Sequence, residues 1–343
     1  MCGIVGAVAE RNIVPILMEG LRRLEYRGYD SAGIAILNGT EHLKRVRTVG
    51  KVKALQDAID QSPTHGKLGI AHTRWATHGV PSERNAHPHI SNDGLAIVHN
   101  GIIENHDELR DELKKLGYAF TSETDTEVIA HRIHHHLGKL GDLFKAVRAT
   151  VAELEGAYAL VVLSEHDPDR LILAREGCPV VVGLGVEENF VASDVSALLP
   201  VTRRFMFLEE GDVAEVRRTS IKVLDREGNS VDRPVRDSEL SADAAEKGQY
   251  KHFMLKEIHE QARAVTDTLR GRLQHQPADA LLDGFTLQPG ESLRNYREAL
   301  LRCLGCGFLP EPLARPHLEA GTLVQKATAG PAAVAEMHYA WRA

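Results

Sequence analysis

The sequence predicts an α+β fold in which sheets are layered together and helices cover their outer faces. Three observations predict it. Amphipathic helix patterns with start and stop signals recur before residue 28 and between residues 105 and 156. Short apolar runs of strand length lie before and between those helices. From residue 157 the character changes to successive β-type runs separated by turn residues.

The elements follow in order. Residues 2–9 form an apolar, strand-like start. Asn12-Ile13-Val14-Pro15 reads as a helix entrance, because Asn can cap and Pro is tolerated in a first turn. Ile13, Leu17, Leu21 and Leu24 then recur at helical spacing, and the helix should stop before Gly28. Residues 32–37, 68–72 and 95–98 are strand candidates. Asn105 with Glu108 resembles a capping box ahead of Leu109, Leu113 and Leu116, with Gly117 as the stop. Thr124 and Glu127 repeat the capping pattern before Val128, Ile129 and Ile133. Leu143, Val147, Val151 and Leu154 mark a further helix closed by Gly156. Residues 157–163, 171–173, 180–184, 190–192 and 213–216 are short β-type runs. Residues 225–249 are polar without periodicity and read as a surface or linker segment; 250–273 regain helical character. Beyond about residue 275 Pro, Gly and Ala become more frequent, and no internal repeat is apparent.

Composition bounds the function. A chain of 343 residues is long enough for about two domains. With 43% hydrophobic and 26% charged residues it reads as an ordinary soluble globular protein. A formal net charge of −7 and the lack of a basic stripe argue against nucleic acid as a partner. No stretch approaches the ~20 apolar residues that span a membrane, so no membrane partner is expected. The apolar start lacks the basic region of a signal peptide. Four cysteines (2, 178, 303 and 306) do not make a disulfide framework in a chain this long, and the cytoplasm is the expected compartment.

Candidate chemistry begins at Cys2. Removal of the initiator methionine would leave a thiol and a free α-amino group on one residue. An amine that titrates near ~8 can act as the base for its own thiol. Taken alone, a cysteine here is more often a small buried residue. Four other segments hold residue types that a carboxamide-cleaving site needs: Tyr26-Arg27-Gly28-Tyr29-Asp30, His72-Thr73-Arg74-Trp75-Ala76-Thr77-His78-Gly79, His99-Asn100-Gly101 and Thr124-Asp125-Thr126-Glu127. Each also has a plain reading. Asn100-Gly101 is first a turn dipeptide. Asp125 is an ordinary helix-start acid, and the Trp75 ring could fill a core. His131, His134, His135 and His136 have no apparent carboxylate or cysteine partner, so no metal and no cofactor are expected. Cys303 and Cys306 have C-x-x-C spacing without a second pair or a thioredoxin-like context.

Together these stretches, with Cys2-Gly3-Ile4-Val5-Gly6 and Asn85-Ala86-His87-Pro88-His89, resemble the class II (N-terminal-nucleophile) glutamine amidotransferases. The Tyr26–Asp30 and Arg74–Gly79 wording is most similar to the glutaminase domain of the glutamine–fructose-6-phosphate aminotransferase family, which makes glucosamine 6-phosphate. The resemblance covers roughly residues 1–285. It implies a four-layer αββα sandwich. It implies that Cys2 attacks the carboxamide of L-glutamine, with the Asn100 side chain and the Gly101 N–H as oxyanion hole. Arg74 would bind the substrate carboxylate and Asp125 its ammonium group. Thr77 and His78 would line the pocket, Trp75 would stand where ammonia leaves, and Arg27 and Tyr29 would belong to a loop that closes over the site.

On this reading residues 2–224 form the glutaminase domain, and 225–285 a linker and helix leading toward an isomerase region that does not follow. Residues 286–343 form a divergent tail whose 296–324 stretch resembles the end of a LysR-type regulator's effector domain. Only glutamine hydrolysis is then expected, with fructose 6-phosphate as ammonia acceptor if an isomerase domain is supplied. A homo-oligomer is compatible with the family. A separate acceptor chain and an idle glutamine-binding module are the alternative expectations.

Overall fold

The computed structural model describes residues 2–38, 42–76 and 79–238, and a few positions between 255 and 280. The first unit opens with β1 (Gly3–Val8), α1 (Val14–Leu24), β2 (Ser31–Leu37), β3 (Lys44–Val49), α2 (Val52–Gln61) and β4 (Leu68–Arg74). Next come β5 (His89–Ser91), β6 (Leu95–Ile103), α3 (His106–Lys115), α4 (Asp125–Leu140) and α5 (Leu143–Val151). The rest is strand: β7 (Gly156–Ser164), β8 (Asp167–Glu176), β9 (Val181–Leu184), β10 (Asn189–Ala192) and β11 (Arg204–Phe207), then β12 (Val213–Arg217), β13 (Ile221–Leu224), β14 (Ser230–Val231) and β15 (Val235–Asp237). In the second unit, β16 (Leu273–His275) pairs antiparallel with β17 (Ala278–Ala280). The expected helix over 250–273 lies mostly outside the described residues, as does the whole 286–343 tail.

Two antiparallel sheets make the core. One has the order β15-β11-β9-β10-β1-β4-β2-β3 and the other β14-β13-β12-β8-β7-β6-β5. Side chains alternate across a strand, so each strand feeds two cores at once. In β1, Val5 and Ala7 pack with Leu17, Leu21 and Leu55 of α1 and α2, while Ile4 and Val8 pack against the other sheet. In β7, Leu160 and Val162 pack with Ile129, Ile133 and Val147 of α4 and α5, while Ala159 and Val161 turn inward. The layers are therefore helix, sheet, sheet, helix. Strands buried on both faces read as continuous apolar runs, which is how β1, β2 and β7 appear in the sequence.

Several local expectations change in context. Asn100-Gly101 is not a turn: β6 continues to Ile103, and Gly101 lies opposite Tyr158 of β7. Pairing along all of β7 outweighs the local turn preference of the dipeptide. Asn105 forms no capping box, because its amide donates to Glu153 O at 2.8 Å and accepts from Glu155 N at 3.2 Å. Asn12 stands one residue before the helix cap, and its Oδ1 accepts from both Val14 N and Gly66 N at 3.3 Å. Thr124 caps α4 as expected, accepting from Glu127 N, but the Glu127 carboxylate reaches back to Thr121 and Ser122. The segment from 225, read as linker, begins with β14 and β15, each paired into one of the sheets.

Polar groups are also buried where the sandwich opens toward β4 and β6. His72, His87, His89 and His99 are all buried there. The His72 and His87 rings stack at 4.1 Å between centroids, and His87 meets His89 edge-on at 4.8 Å. Burial pushes His72 down to about 3 and holds His87 and His89 well below the ordinary histidine value. In the unfolded chain these rings protonate near ~6.5. A ring whose folded pKa is depressed binds protons preferentially in the unfolded state, so stability is full above ~6.5 and is lost as pH falls below it. Chemical denaturation should show the unfolding free energy dropping between pH 6.5 and 5 by on the order of 1 kcal/mol per pH unit for each of these rings. A flat profile over that window would contradict neutral burial.

Candidate active site

Strand parity decides which side chains can meet. In β4, Leu68 and Ile70 face the core between the sheets, and His72 and Arg74 continue that inward series. In β6, Ala96 and Val98 face inward, and Asn100 is the next member. Ile4 of β1 faces inward as well, and Cys2 precedes it by two. Three segments far apart in sequence thus deliver polar side chains to one end of the inner core, just where its apolar lining stops.

Their bonds tie the chain start to both sheets. Cys2 Sγ accepts from Trp75 N at 3.2 Å and lies 3.6 Å from Trp75 O. The Cys2 carbonyl accepts from Asn100 Nδ2 at 3.1 Å, and Asn100 Oδ1 meets His72 Nε2 at 3.0 Å. Just behind, Ile4 N donates to Ser193 Oγ at 3.0 Å and Ile4 O accepts from Ser193 N at 3.1 Å. Burial pushes the Cys2 thiol up, and the Trp75 N–H partly offsets this by stabilising a thiolate.

Arg74 is buried, with Nη2 donating to Gly79 O at 3.1 Å and Nη1 4.0 Å from Asp30 Oδ1. Asp30 also fixes the backbone that follows Arg74. Its carboxylate accepts from Ala76 N and from Ser31 Oγ, and its own N–H donates to Arg74 O at 3.1 Å. Gly28 lies against this turn: a Cβ there would sit 2.9 Å from the Arg74 carbonyl carbon and oxygen. Trp75 does not fill a core. Its side chain is half exposed and meets the equally exposed Tyr29 ring edge-on at 5.9 Å.

Asp125 is buried at the first turn of α4, where Oδ2 accepts from Ile103 N at 3.0 Å. It thereby joins α4 to the end of β6, two residues beyond Gly101. Gly101 has φ +128°, and a Cβ would come within 1.9 Å of Ala157 O, so only glycine fits. The structure thus brings Cys2, Arg74, Trp75, Asn100 and Gly101 to one end of the sandwich, with Asp125 bonded to the same strand and Tyr29 against Trp75. Thr77, His78 and the Arg27 side chain lie outside the described residues. The sequence alone assigns no role to Asp30, His72 or Ser193. Asp30 and His72 sit inside the motif stretches, and the inward parity of β4 was a signal for His72; nothing marked Ser193.

The histidine run on α4 is engaged elsewhere. His131 Nδ1 meets Ser91 Oγ at 2.8 Å, His134 Nδ1 meets the Tyr118 hydroxyl at 2.6 Å, and His136 Nε2 meets Glu153 at 3.1 Å. Among the described residues no group of three His, Cys, Asp or Glu side chains is placed to hold a metal ion, and no helix is long and apolar enough to cross a membrane.

Residues 72–200 match the family described as Glutamine amidotransferase domain. The glutamine–fructose-6-phosphate aminotransferases (isomerizing) of Idiomarina loihiensis and Pseudomonas aeruginosa are each 55% identical, over 319 and 323 residues. These matches cover 93% and 94% of this chain but 52% of each relative, so the chain spans about half the length of the curated relatives it matches. A match over 319 residues runs beyond residue 285, into the segment expected to be a divergent tail. Among solved structures, the glutamine phosphoribosylpyrophosphate amidotransferase of B. subtilis, in complex with ADP and GMP, matches with TM-score 0.58 and 27% identity, over 67% of this chain and 50% of its own. A structure described as the allosteric regulatory enzyme of purine biosynthesis matches with TM-score 0.58 and 28% identity, over 66% of this chain and 50% of its own. The layered antiparallel sheets, the family match and the relatives agree: the chain belongs to the class II, N-terminal-nucleophile glutamine amidotransferases, an enzyme family.

Proposed function

We propose that Cys2, once exposed as the leading residue, is the nucleophile that releases ammonia from the side chain of glutamine. Its α-amino group takes the thiol proton, because the thiolate and not the thiol is the nucleophile. Sulfur adds to the carboxamide carbon, and the oxygen becomes an oxyanion held by the Asn100 amide and the Gly101 N–H. The C–N bond breaks, the nitrogen takes a proton and leaves as ammonia, and a thioester remains. Water then hydrolyses the thioester to glutamate.

The other residues fix the substrate. Arg74 supplies a planar fork for the α-carboxylate, and Asp125 a carboxylate for the α-ammonium group. Thr77 and His78, which follow Arg74 closely in sequence, are further candidates for contact with glutamine. The exposed Trp75–Tyr29 pair stands at its outer side, with Arg27 in the closing loop. The observation that carries this reading is the pair of bonds on Cys2, Asn100 Nδ2 to its carbonyl and Trp75 N to its sulfur. They support the reading because one bonded group is a proposed oxyanion donor and the other, Trp75, follows the buried Arg74 in sequence.

The acceptor follows from the relatives. Those proteins are about twice as long and are named for fructose 6-phosphate and isomerization. We infer that ammonia released here serves amination of fructose 6-phosphate to glucosamine 6-phosphate when the isomerase half is present, and that this chain by itself performs the glutaminase half-reaction.

Glutamate release by the purified chain should be abolished by Cys2→Ala, and equal rates for the two proteins would remove the proposal. Mass spectrometry of the same preparation should find active protein without Met1. Arg74→Lys keeps the charge but loses the fork, so the KM for glutamine should rise roughly 10- to 100-fold with kcat changed less; an unchanged KM would remove Arg74 from the carboxylate site. Gly101→Ala must displace the Ala157 carbonyl, and should lower both kcat and the unfolding midpoint. Retention of both would contradict the tight packing at Gly101.

A further inference from the structure

The amide of Asn100 matters only if the correct end faces Cys2. With its nitrogen toward the nucleophile it can donate to an oxyanion; flipped, it presents a second oxygen and repels one. The two ends look alike in shape, so something must enforce the polarity.

Two carbonyls enforce it from opposite sides. The Cys2 carbonyl can only accept, so the Asn100 atom 3.1 Å from it is the donor Nδ2. The His99 carbonyl can also only accept, so His72 Nε2, 3.1 Å from it, carries a hydrogen. That same Nε2 lies 3.0 Å from Asn100 Oδ1 and shares its hydrogen with it. The tautomer is thereby set: Nε2 protonated and Nδ1 bare. Consistently, His72 Nδ1 is a buried atom without a hydrogen-bond partner.

The ring itself is clamped. It is buried, stacked on His87 with planes 13° apart. His87 in turn accepts from His99 N at 3.4 Å and meets Thr126 Oγ1 at 3.3 Å. Strand geometry supplies the contact: Ile70 and Val98 belong to the same core between the sheets, and His72 and Asn100 are the next inward positions on those two strands. With its pKa pushed down to about 3, the ring stays neutral at working pH, so no protonation disturbs the arrangement.

We propose that His72 is a positioning residue for the glutaminase reaction, its Nε2–H holding the Asn100 oxygen so that the amide nitrogen faces Cys2 and the developing oxyanion. This rests on the reading of Asn100 as an oxyanion donor. His72 touches neither substrate nor sulfur in this role. It acts in the transition state through Asn100, and so belongs to kcat rather than to glutamine binding.

The test uses the full chain and glutamate release. His72→Phe keeps a ring against His87 but removes the donor; kcat should fall about 10²-fold, the scale of losing one oxyanion donor, with KM for glutamine nearly unchanged. His72→Gln carries an N–H of similar reach and should recover to within about tenfold of the parent. Added to Asn100→Ala, His72→Phe should cost little more, because the two act as one unit. A parallel rise in KM, a His72→Gln as poor as His72→Phe, or losses that multiply in the double variant would each overturn the proposal. Should His72→Phe fail to fold, His72→Gln decides alone: a kcat as low as that of Asn100→Ala refutes the role. Cys2→Ala separates the two layers. If that variant still hydrolyses glutamine, the functional reading has failed. If it is dead while His72→Phe is unimpaired, only the role of His72 has failed.

Discussion

The hydrogen bond from Asn100 Nδ2 to the carbonyl of Cys2 is the contact on which the site depends. It joins the second residue of the chain, at the head of β1 in one sheet, to the inner face of β6 in the other. Every other feature of the site can be traced from it. The bond requires the two sheets to face each other with β1 and β6 in reach, which the inter-sheet core of Ile4, Ile70, Val98 and Val161 provides. It requires the leading segment to be held, which Ser193 and the antiparallel pairing of β1 with both β4 and β10 provide. An amide bonded to a main-chain carbonyl still has a second N–H to offer, and that hydrogen is the resource the proposed chemistry uses.

Around this bond, charged side chains are held at the edge of an apolar core. Arg74 and Asp125 are buried, and each is bonded to backbone around it: Arg74 to Gly79 O, Asp125 to Ile103 N. A buried charge with such partners is tolerated where a bare one would not be. Asp30 then stabilises the backbone of the Arg74–Ala76 turn, whose Trp75 N–H faces the sulfur. Arg74 and Asp125 are buried, while the Tyr29 and Trp75 rings that meet edge-on are half exposed.

Much of this was legible in the sequence, for physical reasons that differ between elements. β1, β2, β4 and β7 were readable because strands buried on both faces leave unbroken apolar runs. α1, α4 and α5 were readable from an apolar stripe, and α4 also from its cap Thr124, whereas α5 ends at Val151 and Gly156 opens β7. β3, with Lys44, Arg45 and Arg47 between smaller residues, and α2, with a stripe of only Val52, Leu55 and Ile59, leave little trace in the sequence because charge on their open faces dilutes the signal. Asn100-Gly101 misled as a turn because local preference cannot know that a nine-residue partner strand lies alongside. At the site, Cys2, Arg74, Asn100 and Asp125 stood out through family resemblance, whereas Asp30 and His72 act on backbone and side chain of their neighbours. Such second-layer contacts need coordinates; parity alone can only place the residue on the right face.

The claim underlying the whole account is that the sulfur of Cys2, and no other, meets the glutamine carboxamide. Peptide mapping after exposure to a glutamine analogue bearing a chloroketone in place of the carboxamide tests this directly. The account predicts a single covalent adduct on the N-terminal peptide, located at Cys2 in chains lacking Met1 and suppressed by excess glutamine. An adduct on Cys178, or labelling of Cys2 that glutamine does not suppress, would contradict it.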